Sequence, residues 1–183
     1  MAGDGKALRL MTATGFWHSA SQCLFQVGEQ WALAYSPCLR ITPPHVEDVA
    51  VVDAKKVGAV SDMVAHVLKA VKPCACGIGD LFEKKIQFTS HGAGFISRAH
   101  IPSCSVGFWV PYCDLRLQND DFGKPAYYAL GDYRHLTYVG VRKPLEFIDA
   151  KRLVRVSLAR WWKPEEAEPS TEERCYAQIS GWY

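Results

Sequence analysis

Apolar residues recur along this chain with two different periods, and each period predicts a different kind of element. In residues 60–71 the apolar positions are three or four apart, which is typical of a helix that buries one face. Asp62 lies near the start of this segment and Pro73 follows its end, as is usual at helix boundaries. We therefore expect one amphipathic helix before Pro73.

From residue 86 the pattern changes to short runs of strand-forming residues, separated by glycine and proline. The runs that we predict as strands are residues 86–88, 106–110, 126–130, 136–141 and 153–158. A second, short helix is predicted over residues 78–85. Helices that are segregated from an antiparallel sheet indicate the α+β class.

The N-terminal part carries two further signals. Residues 23–27 and 31–35 are strand-like and flank a Gly-Glu-Gln turn, which predicts a hairpin. Thr42 and the two prolines after it predict the start of a helix, because proline fits a first helical turn. We place a domain boundary near residues 52–58.

Four parts are therefore expected along the chain. They are a disordered lead (1–11), a small N-terminal α/β domain (12–56), a second domain with a short helical half and an antiparallel sheet (57–163), and a C-terminal tail (164–183). The tail ends on Trp182 and Tyr183, which are too apolar to stay in solvent, so we expect it to fold back.

Composition narrows the class of protein without naming a partner. Hydrophobic residues make up 49% and charged residues 22%, as in a globular protein, and a net charge of +2 neither demands nor excludes nucleic acid. Seven cysteines without a recognisable signal peptide indicate a reducing compartment. No apolar run is long enough to span a bilayer, so we expect no membrane partner.

His135 is the first candidate for chemistry. It stands among strand formers, and Cys74 and Cys76 lie upstream at the start of the predicted short helix. In a papain-like site, a histidine on a strand takes the proton from a cysteine in the first turn of a helix, whose dipole lowers the thiol pKa. This order predicts a catalytic pair of His135 with Cys76, the better placed cysteine, or with Cys74. The plainer interpretation is a histidine at a sheet edge.

Two other interpretations of this cysteine pair stay open. A Cys-x-Cys pair can hold zinc. The further ligands would come from Cys104, Cys113, His91 or His100. Both cysteines can also be buried thiols without chemistry, which is the commonest fate of this residue. We predict no bound metal and no cofactor.

A glycine-rich segment over residues 89–100 is the candidate surface for RNA or a protein partner. Its candidate contact residues are His91, Gly94, Phe95, Arg98 and His100. Glycine, arginine, histidine and an aromatic ring together are typical of a turn that contacts phosphate or bases. An ordinary turn that leads into a strand is the simpler interpretation.

Three patches of these residues resemble the arterivirus family of non-structural protein one-beta, which are papain-like cysteine autoproteases. The first is residues 134–137, followed by the basic strand-like run 153–156 and a terminal Trp-Tyr. The second is Thr-Ser-His-Gly at residues 89–92, with Gly94 and Arg98 after it. The third is the small N-terminal domain, over residues 12–52.

The resemblance implies a papain-like second domain that cuts at its own C-terminus and keeps Gly181, Trp182 and Tyr183 in its cleft. It also implies antagonism of host innate immunity and host gene expression, and help to ribosomal frameshifting. The partners would be host innate-immunity and RNA-binding proteins, with RNA itself and a homodimer left open. The compartment would be the host cytoplasm, with the nucleus as a further option.

The chain departs from this family at the nucleophile. Placed by its distance from residues 89–92, the family's Cys-Trp pair would fall near residues 60–62, which hold neither residue. Either Cys76 or Cys74 serves instead, or the chain is a non-proteolytic descendant. We expect a weak or absent protease.

Two functions from other classes stay open. One is a non-enzymatic host-shutoff factor like those of coronaviruses, whose small barrel has a strand similar to residues 106–111. The other is a thiol acyltransferase of the lecithin-retinol acyltransferase type, with His135 on its histidine strand and Cys175 as the nucleophile.

Overall fold

The structure is a computed structural model that describes residues 5–16, 18 and 23–183. It divides into two compact units, Met1–Lys72 and Pro73–Tyr183. Strands account for 41% of the fold and helices for 9%, so the α+β class holds in its broad sense, with the sheets dominant. The described helices include none that is long and apolar enough to cross a membrane.

The first unit is a small mixed sheet with one helix. Its described elements are β1 (Arg9–Met11), β2 (Glu29–Pro37), β3 (Asp48–Ala59) and α1 (Met63–Ala70). The strand order is β1-β3-β2, with β1 parallel and β2 antiparallel to β3. Residues 52–58, where we expected a domain boundary, lie inside β3, and the division between the units falls after Lys72.

Three local predictions in the first unit are wrong. Part of the expected disordered lead is a strand, because Arg9–Met11 pairs with β3, while residues 1–4 lie outside the described part. Residues 23–27 form no strand, and β2 pairs with the distant β3 instead. The expected helix after Thr42 is a pair of turns, in which the backbone N–H groups of His45 and Val46 donate to Thr42 and Pro44.

The amphipathic helix is confirmed as α1. Asp62 is its N-cap, and its Oδ1 accepts a hydrogen bond of 2.9 Å from the backbone N–H of Ala65. This bond satisfies one of the donors that a helix start leaves unpaired. Val67 is the buried residue of the helix, and Val71 ends it ahead of Pro73.

The second unit is built almost entirely of strands. They are β4 (Cys74–Cys76), β5 (Gln87–Phe88), β6 (Gly94–Ser97), β7 (Val106–Pro111), β8 (Leu115–Asn119), β9 (Pro125–Ala129), β10 (His135–Tyr138), β11 (Phe147–Ile148), β12 (Val154–Leu158) and β13 (Arg174–Trp182). All five strands predicted within residues 86–158 are confirmed, with ends that shift by up to three residues. The strands that were not predicted are β4, β6, β8, β11 and β13.

The strand order is β11-β8-β9-β10-β13-β12-β7-β4, and β6 pairs with both β13 and β5. The sheet was expected to be antiparallel, but it is mixed, because β10 runs parallel to β13 and β4 runs parallel to β7. The last strand, β13, is nine residues long and lies between β10 and β12 inside the sheet. One face of β13 supplies the buried Cys175, Ala177 and Ile179 to the core.

The second predicted helix is replaced by two tight turns. A 3₁₀ turn (Ile78–Asp80) leads into a helical turn (Leu81–Lys84) in which Phe82, Glu83 and Lys84 have φ values of 51°, 62° and 62°. These values are left-handed, which is unfavourable for residues other than glycine. Contacts from a distant segment hold the turn, because the Glu83 carboxylate accepts hydrogen bonds from the backbone N–H and hydroxyl of Ser103.

Candidate functional site

His135 begins strand β10 and is only 2% exposed. Its ring stacks on Tyr128 of β9, with centroids 4.5 Å apart and planes at 31°. Its Nδ1 lies 3.4 Å from the carbonyl oxygen of Tyr133, which can only accept, so a hydrogen bond there places the proton on Nδ1. Its neighbours are a strand and a turn, where a papain-like arrangement would place the start of a helix.

The turn at residues 89–93 lies directly against this histidine. The backbone N–H of His135 donates to the carbonyl of Gly92 over 2.9 Å. Gly92 has a φ of +87°, and a Cβ there would lie 2.1 Å from the carbonyl oxygen of Tyr133. Only glycine fits this close approach. The structure thus brings together two segments that the sequence analysis treated as separate sites.

Two aspartates, Asp120 and Asp121, lie close enough to Tyr128, the ring that stacks on His135, to act on its ionisation. Nδ1 of His91 is 2.7 Å from Oδ2 of Asp121, and both side chains are exposed. Burial raises the pKa of Tyr128, and the negative charges of Asp120 and Asp121 raise it further. Tyr128 therefore stays neutral at physiological pH, and its uncharged ring stacks on the ring of His135.

Cys74 and Cys76 are not beside His135. They lie on β4 and are joined to each other by a disulfide. Three strands, β13, β12 and β7, stand between β10 and β4 in the strand order. Neither sulfur is a thiolate in this state, and Cys76 precedes a 3₁₀ turn and not the helix that would lower its pKa.

Cys175 does not reach His135 either. It is fully buried on the core face of β13, together with Ala177. On β10 the core residues are Leu136 and Tyr138, so His135 points to the opposite face, because successive side chains of a strand alternate. The acyltransferase pairing therefore has its two members on opposite faces of the sheet.

Zinc has no completed ligand set in the part of the chain that the structure describes. No group of three or more His, Cys, Asp or Glu side chains is placed there to hold a metal ion. His100 is instead held by Gln87 and Ser97, whose side-chain atoms lie 3.0 and 3.3 Å from its Nδ1.

The C-terminal residues pack at the far end of β13, away from His135. Trp182 lies under the guanidinium groups of Arg142 and Arg152, 5.3 and 5.1 Å from its ring centroid. In the parallel register Tyr138 pairs with Ile179, so Trp182 lies about six residues, or roughly 20 Å, beyond His135 along the strands. Gly181 pairs with Arg155 of β12, and the Tyr183 ring is 6.3 Å from that of Phe108.

Arginine and aromatic side chains form two groups near β6 that the sequence analysis found only in part. One is Arg98 with Trp161, which packs against the core cluster. The other, which we call the arginine–aromatic surface, consists of Phe95, Trp162, Arg174 and Tyr176, on the face of β13 opposite the core residues Cys175 and Ala177. The Arg98 guanidinium stands 4.0 Å from the ring centroid of Trp161, and that of Arg174 stands 4.2 Å from Phe95. Tyr176 lies between Phe95 and Trp162, at 6.3 and 6.0 Å.

The members of this surface differ in how far a partner could reach them. Trp162 is 52% exposed, whereas Phe95 is 5% exposed and Gly94 is buried. A Cβ on Gly94 would lie 2.9 Å from side-chain atoms of Ile86 and Leu136, so this glycine serves packing. The adjacent tryptophans at 161 and 162 were the sequence signal for the missed parts of both groups.

Two glutamates hold Arg98 in place. Oε2 of Glu173 is 2.6 Å from its Nη2, and Oε1 of Glu172 accepts a hydrogen bond of 3.1 Å from its backbone N–H. The guanidinium plane is thus oriented before any ligand arrives, while part of its charge is neutralised.

Comparison with known proteins finds no matching family model, no similar curated protein and no similar solved structure. The functional conclusion therefore depends on the geometry of this chain.

Proposed function

We propose that this chain is a viral leader non-structural protein of the papain-like autoprotease type that acts by binding and not by proteolysis. In this role it antagonises host innate responses and host gene expression. One observation carries the proposal: the two halves of the expected catalytic pair are apart. His135 is covered by Tyr128, and the sulfurs of Cys74 and Cys76 are bonded to each other on β4, with three strands between it and β10.

The arginine–aromatic surface supports single-stranded RNA as the partner. Unstacked bases bind to aromatic rings and to guanidinium planes, and Arg174 and Trp162, which face each other in a β-bridge, offer both kinds of group. Because Arg174 is the one arginine named in this surface, we expect binding to weaken only gently with salt.

A cleavage assay tests the absence of proteolysis. The chain is expressed with extra residues fused after Tyr183, as wild type and with His135→Ala, Cys74→Ala or Cys76→Ala. We expect no cleavage in any version, because Cys74 and Cys76, the two cysteines predicted to pair with His135, are bonded to each other on a distant strand. Self-cleavage that is abolished by His135→Ala and by one cysteine change would overturn the proposal and identify the nucleophile.

A binding assay tests the RNA surface. Fluorescence anisotropy with short single-stranded RNAs should give a Kd that rises about 5-fold to 150-fold in Trp162→Ala, since one base stack contributes about 1–3 kcal/mol. Arg174→Lys keeps the charge and loses the planar guanidinium, so it should weaken binding as well. Phe122→Ala removes a ring that is 80% exposed elsewhere, and it should bind as wild type does. Equal Kd values in all versions would exclude this surface.

A non-enzymatic host-shutoff factor of the coronavirus-leader type is the second candidate. The strand that suggested it forms β7 (Val106–Pro111), which pairs with β12 and β4 inside a unit made almost wholly of strands. Adding the protein to a cell-free translation reaction tests it. Reduced reporter synthesis that survives Trp162→Ala would favour this candidate over binding through the arginine–aromatic surface.

A further inference from the structure

The disulfide between Cys74 and Cys76 has an unusual place in the fold. It joins two residues only two positions apart, with their Cα atoms 5.4 Å apart, and it lies on a three-residue strand at the end of the sheet order. A disulfide stabilises mainly by restricting the unfolded chain, and the effect grows with the length of the closed loop. This bond closes a loop between residues only two positions apart, so it contributes little to the free energy of unfolding.

The backbone around the pair is held by other groups. The buried indole Nε1 of Trp109 donates to the carbonyl of Cys76 over 2.9 Å, and the hydroxyl of Tyr112 donates to the carbonyl of Ala75. In addition, β4 pairs in parallel register with β7, with Cys74 opposite Trp109. Reduction would therefore leave both cysteines in place, and two thiols held so close can rejoin in an intramolecular step.

Access to the two residues is unequal. Cys74 is exposed, whereas Cys76 is 7% exposed and belongs to the core cluster. An external thiolate can therefore reach the Cys74 side of the bond more easily. The cysteine content predicts a reducing compartment for this chain. In such a compartment a protein disulfide is usually transient and has a catalytic or redox-sensing role.

We propose that Cys74 and Cys76 form a reversible thiol–disulfide exchange site for small thiols of the glutathione class. A thiolate attacks Sγ of Cys74, the protein S–S bond breaks, and its electron pair leaves on Sγ of Cys76, which takes up a proton. A second thiolate attacks the small-molecule sulfur of the mixed disulfide and releases Cys74. In sum, two thiols are oxidised to one small disulfide, and the protein disulfide gains two electrons and two protons.

The test uses the full chain, equilibrated in buffers of reduced and oxidised glutathione at increasing ratios. Thiols are then trapped with a mass-tagged maleimide and located by peptide mass spectrometry. We expect the labels on Cys74 and Cys76 to appear together in one two-electron transition, and to disappear when the oxidised form is restored. Label on both residues at every ratio, or on neither until the protein unfolds, would each overturn the proposal.

Matched variants separate the pair from other thiols. Cys113 is an exposed cysteine outside the pair, so Cys113→Ser should keep the two-thiol transition. Cys74→Ser should abolish it, because Cys76 then has no second thiol with which to form the protein disulfide. The double variant Cys74→Ser with Cys76→Ser should unfold at nearly the wild-type urea midpoint, because Trp109 and Tyr112 still hold the backbone. A large loss of stability in it would show a structural disulfide instead. The outcome does not depend on whether RNA binds.

Discussion

The two units of this protein bury their apolar residues to very different extents. In the first unit β3 is twelve residues long, yet only its first three residues are buried, and Val52 and Val57 are 68% and 61% exposed. In the second unit the core positions of the strands, such as Leu136 and Ile179, are 1% or less exposed. The second unit thus buries one face of its sheet in a core, whereas much of β3 in the first unit stays exposed to solvent.

This difference shows where an apolar pattern is informative. Five of the ten strands of the second unit were predicted, since a core covers one of their faces and apolar residues occur where the fold needs them. The other five were missed, and β13 among them was expected to be a tail. In the first unit apolar residues lie on exposed faces as well, and the strand-like run at residues 23–27 forms no strand. The helix expected after Thr42 was predicted from its prolines and not from an apolar period. Substitutions that remove a buried side chain, a helix-capping residue or a charged side chain from one unit at a time test this contrast between the units.

Removal of β13 is expected to have the largest effect. A chain that ends at Glu173 loses a strand paired with β6, β10 and β12, and three fully buried core residues with it. Hydrogen exchange should show lost protection throughout the second unit, while α1 and β3 stay protected. Removal of Tyr183 alone, beyond the end of the strand, should leave the sheet intact. A folded second unit in the shorter chain would mean that this segment is a dispensable tail.

The substitution Ile179→Ala should have the next largest effect on the stability of the second unit. Ile179 is fully buried in the core cluster, so its truncation should lower the free energy of unfolding of the second unit by about 2–5 kcal/mol. Val57→Ala removes an apolar group that is 61% exposed, and we expect a change within about 0.5 kcal/mol. Urea unfolding of both variants measures the contrast, and equal losses would contradict it.

Asp62→Ala should destabilise α1 by about 1 kcal/mol, because the N–H of Ala65 loses its acceptor. Asp62→Asn keeps a side-chain oxygen and should lose only a fraction of this. Amide exchange rates in α1 report the change locally. If the two variants exchange alike, the capping bond does not stabilise this helix.

Glu83 should give a smaller, pH-dependent effect in the second unit. The Lys85 ammonium, and then Ser103, lower the pKa of Glu83 from 4.5 to about 2. Because the folded pKa is the lower one, the charged carboxylate stabilises the fold above about pH 4.5, and this contribution is lost as the pH falls towards 2. The stability gap between wild type and Glu83→Gln should therefore close over that range in urea titrations at several pH values. A gap that stays constant would show that the ionised form is not what matters.

The candidate site was predictable only in its parts. His135 was correctly placed on a strand, because the residues around it alternate as a strand does. Its burial under Tyr128, and its distance from Cys74 and Cys76, depend on the order of strands in the sheet. The importance of Arg98 could be suspected from its segment, but its contact with Trp161 joins residues 63 positions apart in the chain.

The sequence by itself determined the elements whose signals are local. Helix α1 follows from its period and its cap, and the five predicted strands follow from their β-forming residues and the turns between them. Only the tertiary structure decided the rest. The left-handed turn at Phe82–Lys84 requires Ser103 from a distant segment, and the acidic tail ends in a central strand because β6, β10 and β12 offer it edges to pair with. Such pairings join residues far apart in the chain, so no local sequence pattern can determine which strands pair with each other.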